Sequence, residues 1–295
     1  MSPEEILAVA MLTGFMVLIL TGVPVGISLA SSGLIFGFLG FGPELFGLLP
    51  SRIFGVVTNY TLLAIPLFVF MGVMLEKSRI ADTLLDTLGH AMGNIHGGMG
   101  IAIVLVGVLM GAATGIVGAT VVTVGLLTLP VLMRRGYNPG LACGTICASG
   151  TLGQILPPSL VLILLSDILG ESVGSLFAAA LLPGLMLAAV YVIYLLLIGI
   201  IKPGMVPPIP QEERDQISGG QLFLRIVVSV LPTLLLVFAV LGSIVGGVAA
   251  PTEAASMGAG GSLLIALLGR RLNGKVLSET LKGTVSISAM VFFIL

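Results

Sequence analysis

Three stretches of the sequence combine helix-breaking residues with neutral oxygen ligands inside long uncharged runs. They are residues 59–66, 111–118 and 150–159. In hydrocarbon, an unpaired backbone N–H or C=O costs several kcal/mol, so a broken helix is tolerated only where protein or water supplies partners. Carbonyls and hydroxyls at a break suit a cation, and helix N-termini that begin there suit an anion. We therefore expect the binding chemistry of this chain at its breaks.

The third stretch, GTLGQILPPS at residues 150–159, carries the strongest signal. No charged residue occurs between Arg135 and Asp167, yet two consecutive prolines stand inside this run. Pro157 and Pro158 remove two successive N–H donors and disfavour the helical conformation at the residue before each. One such break is as well explained by a simple kink, which membrane helices tolerate. Three breaks in one chain favour a functional cavity.

Composition defines the class of protein. Hydrophobic residues make up 57% of the 295 residues, charged residues 8%, and the mean hydropathy is +1.21, whereas soluble domains carry about 25% charged residues. Long uncharged runs, and not alternating strands, indicate helical spans. The net charge of −1 and the lack of a basic and aromatic patch argue against nucleic acid as a partner. We predict an all-α polytopic membrane protein.

The elements that must position the breaks follow from the apolar runs. Predicted spans are residues 6–20, 25–41, 176–201, 222–245 and 254–268. Residues 58–75 contain Pro66 and are short for a crossing of about 20 residues, so we predict a re-entrant hairpin. Residues 80–97 alternate at helical spacing and predict an amphipathic helix. Residues 99–133 are too long for one span and are interpreted as one helix broken in the middle.

Charge placement and composition give the domain organisation. Residues 202–220, rich in Pro, Gly and charge, read as the only linker. Arg134, Arg135, Lys202, Arg270 and Arg271 cluster in short loops and are placed on the cytoplasmic side, with Asp167 and Glu171 opposite. We predict a first repeat over 1–201, a cytoplasmic linker over 202–221 and an incomplete second repeat over 222–295. Within the first repeat, scaffold helices occupy 1–55, the hairpin and broken helices 56–170, and a span 175–201.

Several polar residues have a simpler structural explanation. Cys143 and Cys147 lie four residues apart without His or carboxylate neighbours, so we expect a structural pair on one helix face. His90 and His96 fall in or beside the amphipathic segment and are expected to be solvated. Glu253 follows Pro and Thr and is expected to cap the next span, with ion coupling as the alternative.

Weak internal similarity favours a transporter. VPVGISLASSGLIFGFLG from Val23 and APTEAASMGAGGSLLIALLG from Ala250 are both Pro-led helices that are rich in small residues and end in Gly. Transporters are often built from inverted repeats with broken helices in matching positions. The chain stops in the apolar run SISAMVFFIL without a cap, so we expect the second repeat to be cut short.

The order of several motifs resembles a known family. They are NYTLLAIPLFVFMGVML, GAATGIVGAT, LPVLMRRGYNPGLACG, GQILPPS and APTEAAS. Together they are similar to the large membrane subunit of tripartite ATP-independent periplasmic (TRAP) transporters of the C4-dicarboxylate and organic-acid type. The resemblance implies an elevator-type secondary transporter in the bacterial inner membrane. It also implies Na⁺-driven import of an organic acid, with a small membrane subunit and a periplasmic substrate-binding protein as partners.

The resemblance also implies roles for individual residues. Residues 59–74 would be the first hairpin and residues 111–120 the first broken helix. The Na⁺ site would be formed by Thr58, Asn59, Gly111, Thr114 and Gly115, and the substrate or gating region by Gln154, Pro157, Pro158 and Ser159. No other cofactor is implied. Family members usually carry Ser-Gly-Ser where this chain has Thr114-Gly115-Ile116, which points to the mannitol and chloroaromatic branch.

Two other classes of function remain alternatives. Broken helices also line channel filters, but the chain has no charged ring; a carrier that needs no binding protein is likewise open. An enzyme is not expected, because no Ser-His pair, Asp pair or His-rich metal set lies within the predicted spans.

Overall fold

The computed structural model is predominantly helical in the residues that it describes, which are 2–114, 117–211 and 219–295, without the side chains of residues 3 and 111–120. No strand occurs in these ranges. The chain divides into two compact units. The first comprises Met1–Tyr60 and Val285–Leu295, and the second Thr61–Thr284.

The first unit confirms the predicted N-terminal helices. It contains α1 (Pro3–Leu20), α2 (Val25–Phe41), a 3₁₀ turn (Gly42–Glu44) and α3 (Leu45–Val57). A reciprocal capping box starts α1, in which Ser2 N donates to Glu5 Oε2 at 2.9 Å and Glu5 N donates to Ser2 Oγ at 3.3 Å. The break between α1 and α2 falls at Gly22, whose φ of 86° is a conformation that favours glycine.

The second unit contains the remaining helices. They are α4 (Ala64–Lys77), α5 (Ile80–Ala91), α6 (Gly98–Thr114), α7 (Val117–Arg134), α8 (Pro139–Ile155), α9 (Leu160–Leu169), α10 (Val173–Ile201), α11 (Gly219–Val245), α12 (Pro251–Leu268) and α13 (Gly274–Ile294). The last residues of α13 belong to the first unit.

Helix α4 is largely buried, and it packs against α12. Its side chains from Phe68 to Leu75 are largely buried, including Met71 and Met74. The facing residues of α12 are small, so the helix backbones approach closely. A Cβ atom at Gly258 would lie 2.7 Å from Met71 Sδ. Small residues on α12 therefore allow α4 to occupy the core.

Four helical segments are long and apolar enough to cross a membrane among the residues described. They are Val25–Val57, Val173–Ile201, Gly219–Val245 and Gly274–Ile294. The pair α8 and α9 makes a fifth if it counts as one bent span. These segments confirm a polytopic membrane protein. Val25–Val57 comprises α2, the 3₁₀ turn and α3.

The predicted amphipathic helix is confirmed as α5. Leu84 and Leu85 are buried, whereas Asp86 is exposed and lies 3.4 Å from Arg225 of α11. The helix is held between protein on one side and polar surroundings on the other.

The predicted linker differs from its expected form, because its first half is fixed to the protein. Val206 and Ile209 are buried. Gly97 N donates to Val206 O at 3.0 Å, and Ile209 N donates to Gly93 O at 2.9 Å. The proline-rich composition predicted a linker, for which no fixed contacts are expected. The two apolar side chains that stand among the prolines are nevertheless buried. Residues 212–218 lie outside the described residues.

The two ends of the second unit carry opposite charges. At one end, the loop that follows Arg134 and Arg135 contacts the segment that follows Lys202. The contact is a hydrogen bond from Asn138 N to Met205 O. At the other end Asp167 and Glu171 line a cavity. The charges group as the sequence predicted.

Candidate functional site

Helices α6 and α7 form a hairpin, and not one broken crossing helix. Arg135 Nη1, just after α7, lies 3.6 Å from Met99 Sδ at the start of α6. The opposite ends, Thr114 and Val117, are separated by two residues. A continuous helix would place residues 36 apart at a distance of about 54 Å. The prediction of one helix broken in the middle over residues 99–133 was therefore wrong, because the absence of charge shows how long an apolar run is but not whether the chain turns back within it.

The open end of this hairpin is closed by an aromatic side chain. Tyr137 is buried beside the backbone of Met99 and Gly100. Burial raises the pKa of the Tyr137 phenol, which lies in the turn between α7 and α8. The buried ring lies beside the start of α6, in the turn that follows α7, and so contributes to packing at the open end of the hairpin.

Helix α8 lies against both arms of the hairpin. A Cβ atom at Gly107 of α6 would lie 2.5 Å from Ser149 O of α8. A Cβ atom at Gly150 of α8 would overlap Val121 of α7. Glycine is therefore required on both surfaces for the helices to approach this closely.

The tip of the hairpin and the end of α8 lie at a similar depth. From Gly98 to Thr114, and from Pro139 to Ile155, each helix rises about 24 Å. Both helices start at the end that carries the basic residues, and they contact each other about two thirds of the way along. The two helices therefore end on the same side of this contact, at a similar distance from it.

The second break separates α8 from α9, and the two helices are bent by 41°. Leu156, Pro157, Pro158 and Ser159 are buried, and the peptide bond between the two prolines is cis. Because neither proline has an N–H, the carbonyls of the residues four positions earlier lose their helical donors. The prediction of a broken helix at residues 150–159 is confirmed.

Ser159 compensates for one of these lost donors. Its hydroxyl donates to Gln154 O at 2.6 Å, and the residue is fully buried. Its hydroxyl therefore points back toward α8 and does not cap α9. The Gly153 carbonyl, whose helical donor would be residue 157, faces a proline in its place. Ser159 supports the backbone at the break, and Gly153 presents a carbonyl there.

Helix termini of both polarities meet at this depth. Helices α6 and α8 end there with their partly negative C-termini, while α7 and α9 begin there with partly positive N-termini. Among the residues described, no group of three or more His, Cys, Asp or Glu residues gathers to hold a metal ion. A cation bound at the breaks would thus be held by carbonyl and hydroxyl oxygens, and an anion by helix N-termini.

The predicted Na⁺ ligands are divided between the units. Thr58 and Asn59 belong to the first unit, where Thr58 Oγ1 donates to Phe54 O at 2.7 Å. The side chains of Gly111, Thr114 and Gly115 lie outside the described residues. This predicted site therefore stays a prediction, whereas Gln154, Pro157, Pro158 and Ser159 do lie together at the second break.

The predicted hairpin at residues 59–74 is not seen. Residues 64–77 form one continuous helix, α4. Pro66 is the third residue of that helix, where a missing N–H has no helical acceptor to lose, so it does not break the helix. The first hairpin of the second unit is α6–α7.

The structural explanations of other polar residues are confirmed only in part. Glu253 Oε2 accepts from Ala250 N at 2.9 Å and so caps α12. His96 is exposed as expected, but the His90 side chain is only 17% exposed and its Nδ1 lies 2.7 Å from Asp86 O on its own helix. Cys143 and Cys147 are both exposed free thiols on one face of α8, so they do not pack within the described residues as a structural pair would.

Sequence reasoning missed the contact between Gly107 and Ser149. A glycine in an uncharged helix is weak evidence on its own. The sequence feature that could have indicated this contact is the presence of small residues on α8 as well, since small residues mark close helix contacts in membranes.

The sequence places the chain in a known family. Residues 12–295 match the family described as "Tripartite ATP-independent periplasmic transporter, DctM component". The chain is 34% identical over 228 residues to the C4-dicarboxylate TRAP transporter large permease protein DctM of Pseudomonas aeruginosa, covering 77% of this chain and 51% of that protein. It is 30% identical over 249 residues to the protein of that name in Vibrio cholerae, covering 84% and 53%.

A third relative is named for a different substrate. The ectoine TRAP transporter large permease protein TeaC of Halomonas elongata is 30% identical over 244 residues, covering 81% of this chain and 54% of TeaC. The chain thus spans about half the length of these curated relatives. All three are named as transporter permeases and not as enzymes. With the family match over residues 12–295, they show that this multi-pass membrane protein belongs to the DctM family, the large permease subunits of TRAP transporters.

Proposed function

We propose that this chain forms part of the large transmembrane subunit of a Na⁺-coupled, binding-protein-dependent secondary transporter that imports an organic acid. The observation that carries the proposal is the pairing of two breaks at one depth, the tip of the α6–α7 hairpin and the α8–α9 bend. Irregular backbone at membrane depth is tolerated where it lines a cavity. Two adjacent breaks provide both the carbonyls and the helix N-termini that a cation and a carboxylate require.

The hairpin is proposed to be re-entrant. Each arm rises about 25 Å, which is less than the hydrocarbon thickness of about 30 Å. In this proposal the hairpin stops inside the membrane, and Thr114 contributes to the ion site there. In the proposed elevator mechanism, these elements move together, and α2 and α12 are equivalent helices of two inverted repeats.

The remaining assignments follow from the family. A small membrane subunit and a periplasmic binding protein are the proposed partners, and the bacterial inner membrane is the proposed location. C4-dicarboxylates and ectoine, the substrates in the relatives' names, both carry carboxylates. An organic carboxylate is therefore the proposed substrate class, and Ile116 favours the mannitol and chloroaromatic branch.

Uptake into liposomes tests the transport proposal. The complete reading frame would be reconstituted with its small subunit and binding protein, and labelled organic acids would be offered with and without an inward Na⁺ gradient. We expect uptake only when both the gradient and the binding protein are present. Uptake that is indifferent to both would overturn the proposal and favour a channel or another carrier.

Variants test the location of the ion site. Replacing one oxygen ligand by Thr114→Ala is expected to raise the Na⁺ concentration for half-maximal uptake by roughly tenfold, because a charge-assisted contact is worth about 1.5–3 kcal/mol. The matched control is Thr123→Ala, in the adjoining helix α7. Equal Na⁺ dependence in the two variants would remove Thr114 from the site.

A further inference from the structure

A second polar cavity lies at the basic end of the second unit. It has a volume of about 500 Å³ and lies between the α4–α5 turn and the α12–α13 turn. Its charged lining residues are the cations Lys77, Arg79, Arg271 and Lys275 and the carboxylates Asp82 and Glu279. The cavity is remote in sequence from both helix breaks, and its lining carries more positive than negative charge.

Arg271 forms the ordered wall of this cavity. Its Nη1 donates to Arg79 O at 2.5 Å and to Ser78 O at 3.3 Å, and its Nη2 donates to Thr83 Oγ1 at 2.5 Å. The guanidinium thus satisfies carbonyls just beyond the C-terminus of α4, where a cation is favoured. Its position fixes the two turns against each other and keeps its positive charge at the cavity.

The other cations are accessible to a ligand. Arg79 and Lys275 are exposed, and the Lys275 side chain is 85% exposed. Lys275 Nζ is 4.0 Å from Glu279 Oε1, and Lys77 Nζ is 3.4 Å from Glu76 Oε1. These contacts are solvent-exposed pairs of the kind that contribute little, so an anion can compete for the lysines.

The surroundings favour an anion attached to an acyl chain. Leu267 and Leu268 at the end of α12 are exposed, and so is Leu281 on α13. Basic residues of a polytopic membrane protein gather on the cytoplasmic side, where the leaflet is rich in anionic lipid. An exposed apolar surface beside a basic cavity matches a phospholipid, whose headgroup is charged and whose tails are apolar.

We propose that this cavity binds the phosphodiester headgroup of an anionic phospholipid. Arg79 and Lys275 contact the phosphate, Arg271 holds the two turns in place, and the leucines border the acyl chains. Basic cavities between transmembrane helices on the cytoplasmic side are suited to such headgroups. The inference does not depend on transport, so it can fail or succeed separately from the proposed function.

Lipid titration of the purified full-length protein with its small subunit tests this site. After delipidation in detergent, the midpoint of thermal unfolding would be followed against added phosphatidylglycerol or phosphatidylcholine. We expect phosphatidylglycerol to raise the midpoint more than phosphatidylcholine. Arg79→Gln with Lys275→Gln is expected to weaken the apparent affinity for phosphatidylglycerol by roughly tenfold or more, because each basic residue near the surface contributes about 1 kcal/mol.

Two further variants make the test directional. Arg134→Gln with Lys202→Gln removes the same charges at the same end but outside the cavity, and should leave the affinity nearly unchanged. Asp82→Asn with Glu279→Gln removes the lining carboxylates and should tighten binding, a gain that misfolding would not produce. Equal weakening by the control pair, or weaker binding after loss of the carboxylates, would overturn the site.

A last arm distinguishes the source of the phosphate. Glycerophosphoglycerol offers the same phosphodiester headgroup without acyl chains. At the same phosphate concentration we expect it to leave the midpoint nearly unchanged. A shift equal to that of phosphatidylglycerol would overturn the lipid assignment in favour of a free phosphate compound.

Discussion

The α6–α7 hairpin and the α8–α9 helix pair are both breaks in an uncharged run, but the chain takes a different course after each break. In the hairpin, the far ends return to each other, so that Met99 meets Arg135. In α8–α9, the chain bends by 41° and continues toward the opposite end. The same sequence signal therefore produces a reversal in one place and a bent passage in the other.

The cause of each break differs too. Pro157 and Pro158 cannot donate backbone hydrogen bonds, and Ser159 replaces one lost donor. The second break is therefore specified by the residues at the break itself. The first break has no proline between residues 99 and 129. Its geometry depends on contacts of Gly107 and Val121 with α8. Local chemistry predicts where a helix breaks, and tertiary contacts decide where the chain then goes.

Cross-linking gives the largest expected effect, because the hairpin and the single helix predict opposite results. With Cys143→Ser and Cys147→Ser as background, the pair Met99→Cys and Arg135→Cys should react with a short bis-maleimide linker. The control pair, Met99→Cys and Ile168→Cys, joins opposite ends of the unit and should not react. Mass spectrometry of the linked peptides distinguishes the pairs. A negative result for the first pair would refute the hairpin.

Restoring the missing donors should change the second break without affecting the first. Pro157→Ala with Pro158→Ala supplies two N–H groups to the carbonyls of Gly153 and Gln154, which favours a straight helix. We expect uptake per folded transporter to fall by more than about tenfold if the bend lines the transport cavity. Pro183→Ala is the matched control, since α10 is continuous through Pro183. Similar losses in both variants would mean that the bend has no special role.

A single methyl group should test the contact between the two regions. At Gly107 the Cβ atom would lie 2.5 Å from Ser149 O, so Gly107→Ala is expected to lower the free energy of unfolding by about 1–3 kcal/mol. At Gly144, no atom lies within 4 Å of the added Cβ, so Gly144→Ala should be neutral or stabilising by up to about 1 kcal/mol. Thermal unfolding of the purified protein measures both. Equal effects would show that α6 and α8 are not in close contact.

An effect of similar size is expected for the hydroxyl at the bend. Ser159→Ala leaves the Gln154 carbonyl without its donor and should cost about 1–3 kcal/mol of stability. Ser166→Ala removes a hydroxyl that is equally buried and donates to Ile163 O within α9, a carbonyl that keeps its helical N–H donor. That control should cost less than about 0.5 kcal/mol. If the two losses are the same, Ser159 does not support the break.

Much of the fold follows from local sequence. Mean hydropathy and uncharged runs determined the membrane class, and the ends of α1, α2, α10 and α12 agree with prediction to within a few residues. Glu253 caps α12 and α5 is amphipathic, as their sequence patterns indicated. These features depend on composition, helical period and capping within one or two turns, which a single sequence displays.

Tertiary structure alone decided how these elements combine. A Gly-Ala-Ala-Thr-Gly segment is compatible with a kink or a reversal, and the difference rests on a contact between residues 36 positions apart. Two further features also rest on contacts between residues far apart in sequence. The segment at Val206 and Ile209 is bonded to the backbone near residue 95, and Arg271 donates to groups near residue 80. Such contacts depend on which surfaces meet after the helices form, and no local pattern of residues specifies that.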